Sequence, residues 1–194
     1  MDSFPIFFCG PHCSGKTSII KNLLSDGLIL ERGSEIGKDL FYQRNIAPAQ
    51  QGEEFELEIT LKELMRDRKI AQKGNIIGIE SWHPGNLAYA MVRNPSTVAY
   101  LVQEIKRSPI LSSAFGIVFS VSWDNIYLRT MTFKSDRKWA ADFYTQISSC
   151  IDKSLDVLGL KERCVFIDAN RPYKEVYEDV KSAINYFMKF SNPK

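Results

Sequence analysis

Phe4-Pro5-Ile6-Phe7-Phe8-Cys9-Gly10-Pro11-His12-Cys13-Ser14-Gly15-Lys16-Thr17-Ser18-Ile19-Ile20-Lys21-Asn22-Leu23-Leu24 decides how the rest of the chain is read. An apolar run of the kind that forms a buried strand passes into a polar loop bounded by Gly10 and Gly15. Apolar residues at helical spacing follow. Residues 10–17 match G-x-x-x-x-G-K-S/T, a pattern whose chemistry depends on that strand–loop–helix setting. The glycines permit a tight path with backbone N–H groups turned inward, and a helix beginning near Lys16 aims its positive end at the same point. Gly10, Pro11, His12, Cys13, Ser14, Gly15, Lys16, Thr17 and Ser18 are therefore the expected cradle for phosphate oxygens. Lys16 would face the β- and γ-phosphates, and the Thr17 hydroxyl would ligate Mg²⁺. The expectation is binding of a nucleoside triphosphate with Mg²⁺.

Outward from this stretch, strands and helices alternate. Leu28-Ile29-Leu30 reads as a second strand ending in the polar cluster Glu31-Arg32-Gly33-Ser34-Glu35. Ligand-contacting residues of open α/β sheets gather at such strand ends. Residues 38–52 are irregular and read as a loop or weak helix. Residues 55–70 form an amphipathic pattern, with Phe55, Ile59, Leu61, Leu64 and Met65 apolar and Glu63 and Arg66 among the interleaved charges. A third strand, Ile76-Ile77-Gly78-Ile79, precedes Glu80-Ser81-Trp82-His83-Pro84-Gly85, in which His83 reads as a structural or solvent-facing loop residue. Helices follow at 86–93 and from Pro95. The clearest strand is Phe115-Gly116-Ile117-Val118-Phe119-Ser120-Val121, with Asp124 as the expected N-cap of a short helix over 125–131. A polar, basic stretch over 132–138 leads into a long helix over 139–158, closed by Gly159. A last strand at 164–168 and a helix at 173–190 complete the chain. This alternation means βαβ units around a parallel sheet, and no repeat or linker divides residues 1–194, so one α/β domain is expected.

Composition narrows the function classes. A net charge of +2 gives no electrostatic footprint for nucleic acid or a membrane surface. Hydrophobic residues at 44% and charged residues at 25% are ordinary for a globular domain. The four cysteines show no C-x-x-C or Cys/His metal spacing and suit a reducing compartment. Without a signal-like N-terminus or an apolar run of spanning length, the reading is a soluble cytoplasmic protein. Its partners would be a small-molecule nucleotide and, at most, a second copy of the chain.

Around the loop, the remaining motifs resemble those of thymidylate kinases and related nucleoside and nucleoside monophosphate kinases. Glu80-Ser81-Trp82-x-x-Gly85-x-x-Ala88-Tyr89 resembles the thymidylate kinase pattern D-R-Y-x-x-S-x-x-A-Y, and Glu31-Arg32-Gly33 resembles its E-P-G segment. Asp136-Arg137 with Phe143-Tyr144 resembles the start of its lid, and Ile167-Asp168-Ala169 its adenine-side loop. The likeness covers most of the chain in the right order, although only the phosphate loop is specific by itself. It implies a three-layer P-loop fold with a five-stranded parallel sheet in the order 2-3-1-4-5. It also implies ATP with Mg²⁺ as cofactors, and a nucleotide kinase transferring phosphoryl to a nucleoside monophosphate. On this reading Thr17 and Glu80 place the metal, Lys16 stabilises the transferring group, and Glu31 faces the acceptor. Arg137 with Arg129 closes a lid over residues 129–138.

Two departures bear on substrate. The arginine that follows the third-strand acid in the family is Ser81 here, and the E-P-G proline is Arg32. A cation facing the acceptor phosphate would have to come from Arg32, Arg44 or Arg93. Ser81 keeps a deoxynucleoside kinase, or a nucleotide-binding protein without efficient transfer, as alternatives. Trp82 and Tyr89 stand between core packing and base stacking, and Asp168 between a site role and a capped strand end.

Overall fold

The N-terminal apolar run is buried along its whole length because it becomes the centre of the sheet. In the computed structural model, which describes residues 4–44, 50–130 and 136–191, β1 (Phe4–Cys9) has no exposed residue. It pairs in parallel with β3 (Ile76–Glu80) on one side and β4 (Phe115–Ser120) on the other. β2 (Glu31–Gly33) lies outside β3, and β5 (Cys164–Asp168) outside β4. The order β2-β3-β1-β4-β5, parallel throughout, is the expected one. Strands covered on both faces read as continuous apolar runs rather than alternating ones, which is why β1, β3 and β4 were plain in the sequence.

The flanking helices are α1 (Lys16–Ser25), α2 (Ile36–Arg44), α3 (Glu53–Ala71), α4 (His83–Arg93), α5 (Val98–Ile105), α6 (Trp123–Arg129), α7 (Arg137–Leu158) and α8 (Tyr173–Ser191). Together they make the three-layer α/β P-loop fold. No described helix is long and apolar enough to cross a membrane. Register sets Phe8 beside Glu80, so the loop after β1 and the acidic end of β3 leave the sheet together. Open α/β sheets bind ligands at such carboxyl ends.

Several local expectations are corrected. The second strand lies three residues later than the apolar trio. Leu28 and Ile29 donate their N–H groups to the Leu23 carbonyl and close α1, and Leu30 is 65% exposed. Pairing instead runs over Glu31, Arg32 and Gly33, because an edge strand tolerates polar residues that a central one does not. Of the two readings for residues 38–52, loop or weak helix, the helical one holds over Ile36–Arg44, where Ile36 and Leu40 pack with Phe55 and Ile59 in a small cluster of their own. The N-cap of α6 is Ser122, whose Oγ accepts from Asn125 N at 3.3 Å, rather than Asp124. His83 opens α4 and is fully buried, not in a loop.

The largest correction concerns α3. Leu61 and Met65 are 53% and 58% exposed, while Glu63, Arg66 and Asp67 face the core. The charges that looked like a solvated face are inside, where they must neutralise one another.

Candidate active site

Backbone conformation shapes the phosphate loop before any side chain does. Gly15 has φ 90°, and a Cβ on Gly10 would stand 3.0 Å from the Phe119 Cβ and carbonyl oxygen. Glycine is required at both positions, for conformation at one and for space at the other. Cys13 also adopts a left-handed φ of 64°, and its thiol, pushed up by burial, is not the activated thiolate that a helix N-terminus can create. Lys16 opens α1 and is buried. Its Nζ donates to the carbonyls of Gly10 at 3.0 Å and Pro11 at 2.8 Å, and to Ser14 Oγ at 3.1 Å. The ammonium is thereby held inside the curve of the loop.

Across from the loop, the Thr17 hydroxyl donates to Glu80 Oε1 at 2.6 Å. Glu80 is buried at the end of β3, and its Oε2 accepts from Arg32 at 2.7 Å. A hydroxyl and a carboxylate this close form the partial donor set that suits Mg²⁺, which keeps several waters and takes further oxygens from phosphates. The residues present therefore fit the metal that the loop implies.

The other loop-side residues are placed as follows. Arg129 donates to the Cys13 carbonyl at 3.2 Å and the Ala169 carbonyl at 2.8 Å, tying the phosphate loop to the β5–α8 connection. The His12 ring stacks on Tyr144 with centroids 5.2 Å apart. Burial first, and then the nearby Lys16 and Lys38 charges, push His12 down to about 4. Ser18 is exposed on α1. Arg137 lies over the Tyr127 ring at 5.1 Å, and the middle of the expected lid, residues 131–135, falls outside the described residues.

The acceptor side differs from expectation at its key residue. Glu31 sits at the amino end of β2, in register with Ile77, and pairs with Lys73, so it does not face the site. The three-residue shift of β2 puts Glu35 at the carboxyl end instead. Arg32, Gly33, Ser34, Glu35, Lys38 and Asp39 line a cleft of about 300 Å³ there. Glu35 Oε2 is buried, 3.8 Å from Arg32 and 3.6 Å from Lys38, with no hydrogen bond among the described residues. Burial first, and then the Glu80 charge, raise the Glu35 pKa above the ordinary carboxylate range, against the opposing Lys38, Lys16 and Arg32. The sequence signal for Glu35 was its place in the polar cluster after the second strand.

Of the three candidate acceptor arginines, Arg32 is the one that lines the cleft. Arg44 pairs with Glu58 at 2.6 Å. Arg93 donates to both Glu56 oxygens, at 2.8 and 2.9 Å, between the Phe55 and Tyr89 rings. Trp82 is a core residue, its Nε1 donating to Asp67. Asp168 Oδ1 accepts from Asn170 N at 3.0 Å and Asn170 Nδ2 at 2.6 Å, a capped strand end.

No protein-family model matches the sequence, and no curated protein matches it either. Solved structures match in fold. NadR in complex with NR aligns with 95% of this chain at a TM-score of 0.72 and 12% identity, and a second NadR structure, with NAD and AMP-PNP, aligns at 0.71. The chain spans about half the length of these two, 50% and 51%. Deoxyadenosine kinase from M. mycoides, solved with dCMP and dCDP, matches over 94% of this chain and all of its own, with a TM-score of 0.68 and 12% identity. YorR from Bacillus subtilis matches over 98% of this chain and 99% of its own at a TM-score of 0.62 and 15% identity. At these identities the likeness is one of fold: the chain has a P-loop α/β architecture that deoxyadenosine kinase shares.

Proposed function

We propose that this chain transfers the γ-phosphoryl group of ATP to a hydroxyl of a nucleoside-type acceptor. The loop amides and Lys16 would hold the phosphates and offset the charge that builds on their oxygens during transfer. Mg²⁺, held by the Thr17 hydroxyl and Glu80, would supply further neutralisation of phosphate charge. Glu35 would take the proton of the attacking hydroxyl as the new O–P bond forms and the bond to the ADP oxygen breaks. The observation that carries this reading is Glu35 itself, a carboxylate raised in pKa at the carboxyl end of β2, lining the cleft beside Glu80. A general base works best when its pKa approaches the working pH, and a hydroxyl acceptor needs one where a phosphate oxyanion does not. The deoxyadenosine kinase structure, whose name refers to a nucleoside, supports the same class. ATP use and four unpaired cysteines fit a cytoplasmic enzyme.

A nucleoside monophosphate acceptor of the thymidylate kinase kind is the second reading, favoured by Arg32 and Lys38 in the cleft lining. Turnover of ATP against a panel of nucleosides and their monophosphates tests both. Phosphorylation of nucleosides supports the first reading, and phosphorylation of monophosphates alone selects the second. Triphosphate binding without transfer to either would make the chain a nucleotide-binding protein.

A further inference from the structure

We propose that Arg66 is a positioning residue for the acceptor side: with Glu63, Asp67 and His83 it forms a buried four-charge cluster that fixes the peptide unit between Ser34 and Glu35, and so aims the Glu35 carboxylate. The inference rests on Glu35 being the acceptor-side base. Arg66 reaches from α3 under the carboxyl end of β2, where its Nη1 donates to the Ser34 carbonyl at 2.7 Å. That carbonyl lies past the last paired residue of β2, where the strand turns into α2, so the ladder does not hold it. It belongs to the same planar peptide unit as the Glu35 nitrogen, and rotating that plane swings the Glu35 side chain.

Arg66 is itself held from behind. Its Nη2 lies 3.2 Å from Glu63 Oε1 and 3.4 Å from Asp67 Oδ1. His83, at the start of α4, bridges the same two carboxylates, with Nδ1 2.8 Å from Glu63 Oε2 and Nε2 2.8 Å from Asp67 Oδ2. Nε2 is hydrogen-bonded to Asp67, whereas the Nδ1 contact with Glu63 is an ion pair outside hydrogen-bond alignment, and the two carboxylates together hold the ring as an imidazolium. Two carboxylates, one guanidinium and one imidazolium sum to zero. Trp82 Nε1 at 3.1 Å and Ser108 Oγ at 2.6 Å complete the shell of Asp67. The cluster thus joins the β2–α2 corner, α3, the β3–α4 corner and the end of α5. Buried ion clusters are often no more stabilising than apolar residues of the same volume, so stability alone does not account for four charges here. A fixed geometry at both acidic corners of the cleft does.

The test is Arg66→Lys, which keeps the cluster neutral but loses the planar fork. Below its melting temperature the variant should lose about 10- to 100-fold in kcat with the KM for ATP unchanged. In a Glu35→Gln background the same change should have no further effect on kcat. A kcat equal to wild type, or a loss that adds in full to that of Glu35→Gln, overturns the proposal and leaves Arg66 as a core ion. A readout independent of turnover separates this from the functional reading. By carbon NMR the Glu35 carboxyl should titrate above an ordinary glutamate in the wild type and return towards one in Arg66→Lys. If no acceptor is turned over but this shift occurs, the positioning stands and the kinase reading fails; no shift sinks the positioning. The wild-type protein offers a check that needs no variant. The Arg66 Nη nitrogens should give separate signals, because two anchors hinder rotation, and one averaged signal would overturn the clamp.

Discussion

The two walls of the cleft are built in different ways. On the proposed reading the nucleotide wall comes from one stretch, residues 10–18, whose backbone path and single lysine would carry the chemistry. The acceptor wall is assembled from β2, α2, α3 and the β3–α4 corner, and depends on ion pairs between residues such as Arg32 and Glu80 that are far apart in sequence. A wall made from local backbone is robust to changes elsewhere and sensitive at one side chain. A wall made from buried charges is sensitive at many points, and to pH.

Removing Lys16 should break the nucleotide wall outright. Lys16→Ala takes away the only ammonium inside the loop, and charge-assisted contacts of this kind contribute about 1.5–3 kcal/mol each. Affinity for an ATP analogue, measured by calorimetry, should fall about 100-fold or more while circular dichroism stays native. An affinity within a few-fold of wild type would remove the loop from the site.

The next largest effect should fall on the acceptor wall alone. Glu35→Gln should lower kcat on a hydroxyl acceptor by about 10²- to 10⁴-fold, the usual range for a lost general base, and leave analogue affinity intact. Glu31→Gln is the control, since that carboxylate pairs with Lys73 at the far end of β2. If Glu31→Gln is the damaging change, the placement of β2 is wrong.

How much of this was legible follows from the same contrast. The central strands and the loop were readable because they rest on apolar runs and a contiguous motif, whereas the strand order and the pairing of Thr17 with Glu80 came from the resemblance to thymidylate kinases. The acid at the end of β2 was misread because Leu28-Ile29-Leu30 has the composition of a strand, while the edge position lets Glu31-Arg32-Gly33 do the pairing. The cluster behind it was hidden for a related reason. Glu63, Arg66 and Asp67 on a helix with Leu61 and Met65 look like the polar side of an amphipathic pattern. Only tertiary contacts reveal that the apolar pair faces water and the charges face the core. One signal was present: Glu63, Asp67 and Ile70 share one helical stripe with Ile59, at spacings of four, four and three.

The two histidines offer a finer comparison of the walls, because their surroundings displace their pKa values in opposite directions. His12 in the loop is pushed down to about 4 by burial and by the nearby lysines. His83 would be lowered by its burial, but Glu63 and Asp67 outweigh that and raise it to about 9, from an ordinary 6.5. A raised histidine stabilises the fold when protonated. Its contribution is therefore fully present below about pH 6.5 and is lost as pH rises through about 9, worth about 3 kcal/mol at roughly 1.4 kcal/mol per unit. Urea unfolding across this range should show stability falling with pH in the wild type and a flatter profile in His83→Gln. Proton NMR should find no histidine titrating near 6.5; one that does, if it is His83, would contradict the imidazolium bridge.

The smallest effect should come from Arg32, and it decides between the two acceptor classes. Arg32 donates to Glu80 at 2.7 Å and lies 3.8 Å from Glu35, so its charge is already shared between two carboxylates at the mouth of the cleft. For a hydroxyl acceptor it has no anion to grip. Arg32→Ala should then change the acceptor KM by less than about threefold, because a neutral acceptor offers the guanidinium no charge to hold. For a monophosphate acceptor, Arg32 is the candidate arginine that lines the cleft, and losing a charge-assisted contact to phosphate should raise the acceptor KM by about 10- to 100-fold. Arg93→Ala serves as a comparison, because its guanidinium is committed to Glu56 and two aromatic rings, and its loss should appear in thermal stability instead. A large KM effect at Arg32 on a monophosphate, with no turnover of the parent nucleoside, would reverse the order of the two readings. It would also give Arg32 the role that an arginine at the position of Ser81 has in the thymidylate kinase pattern.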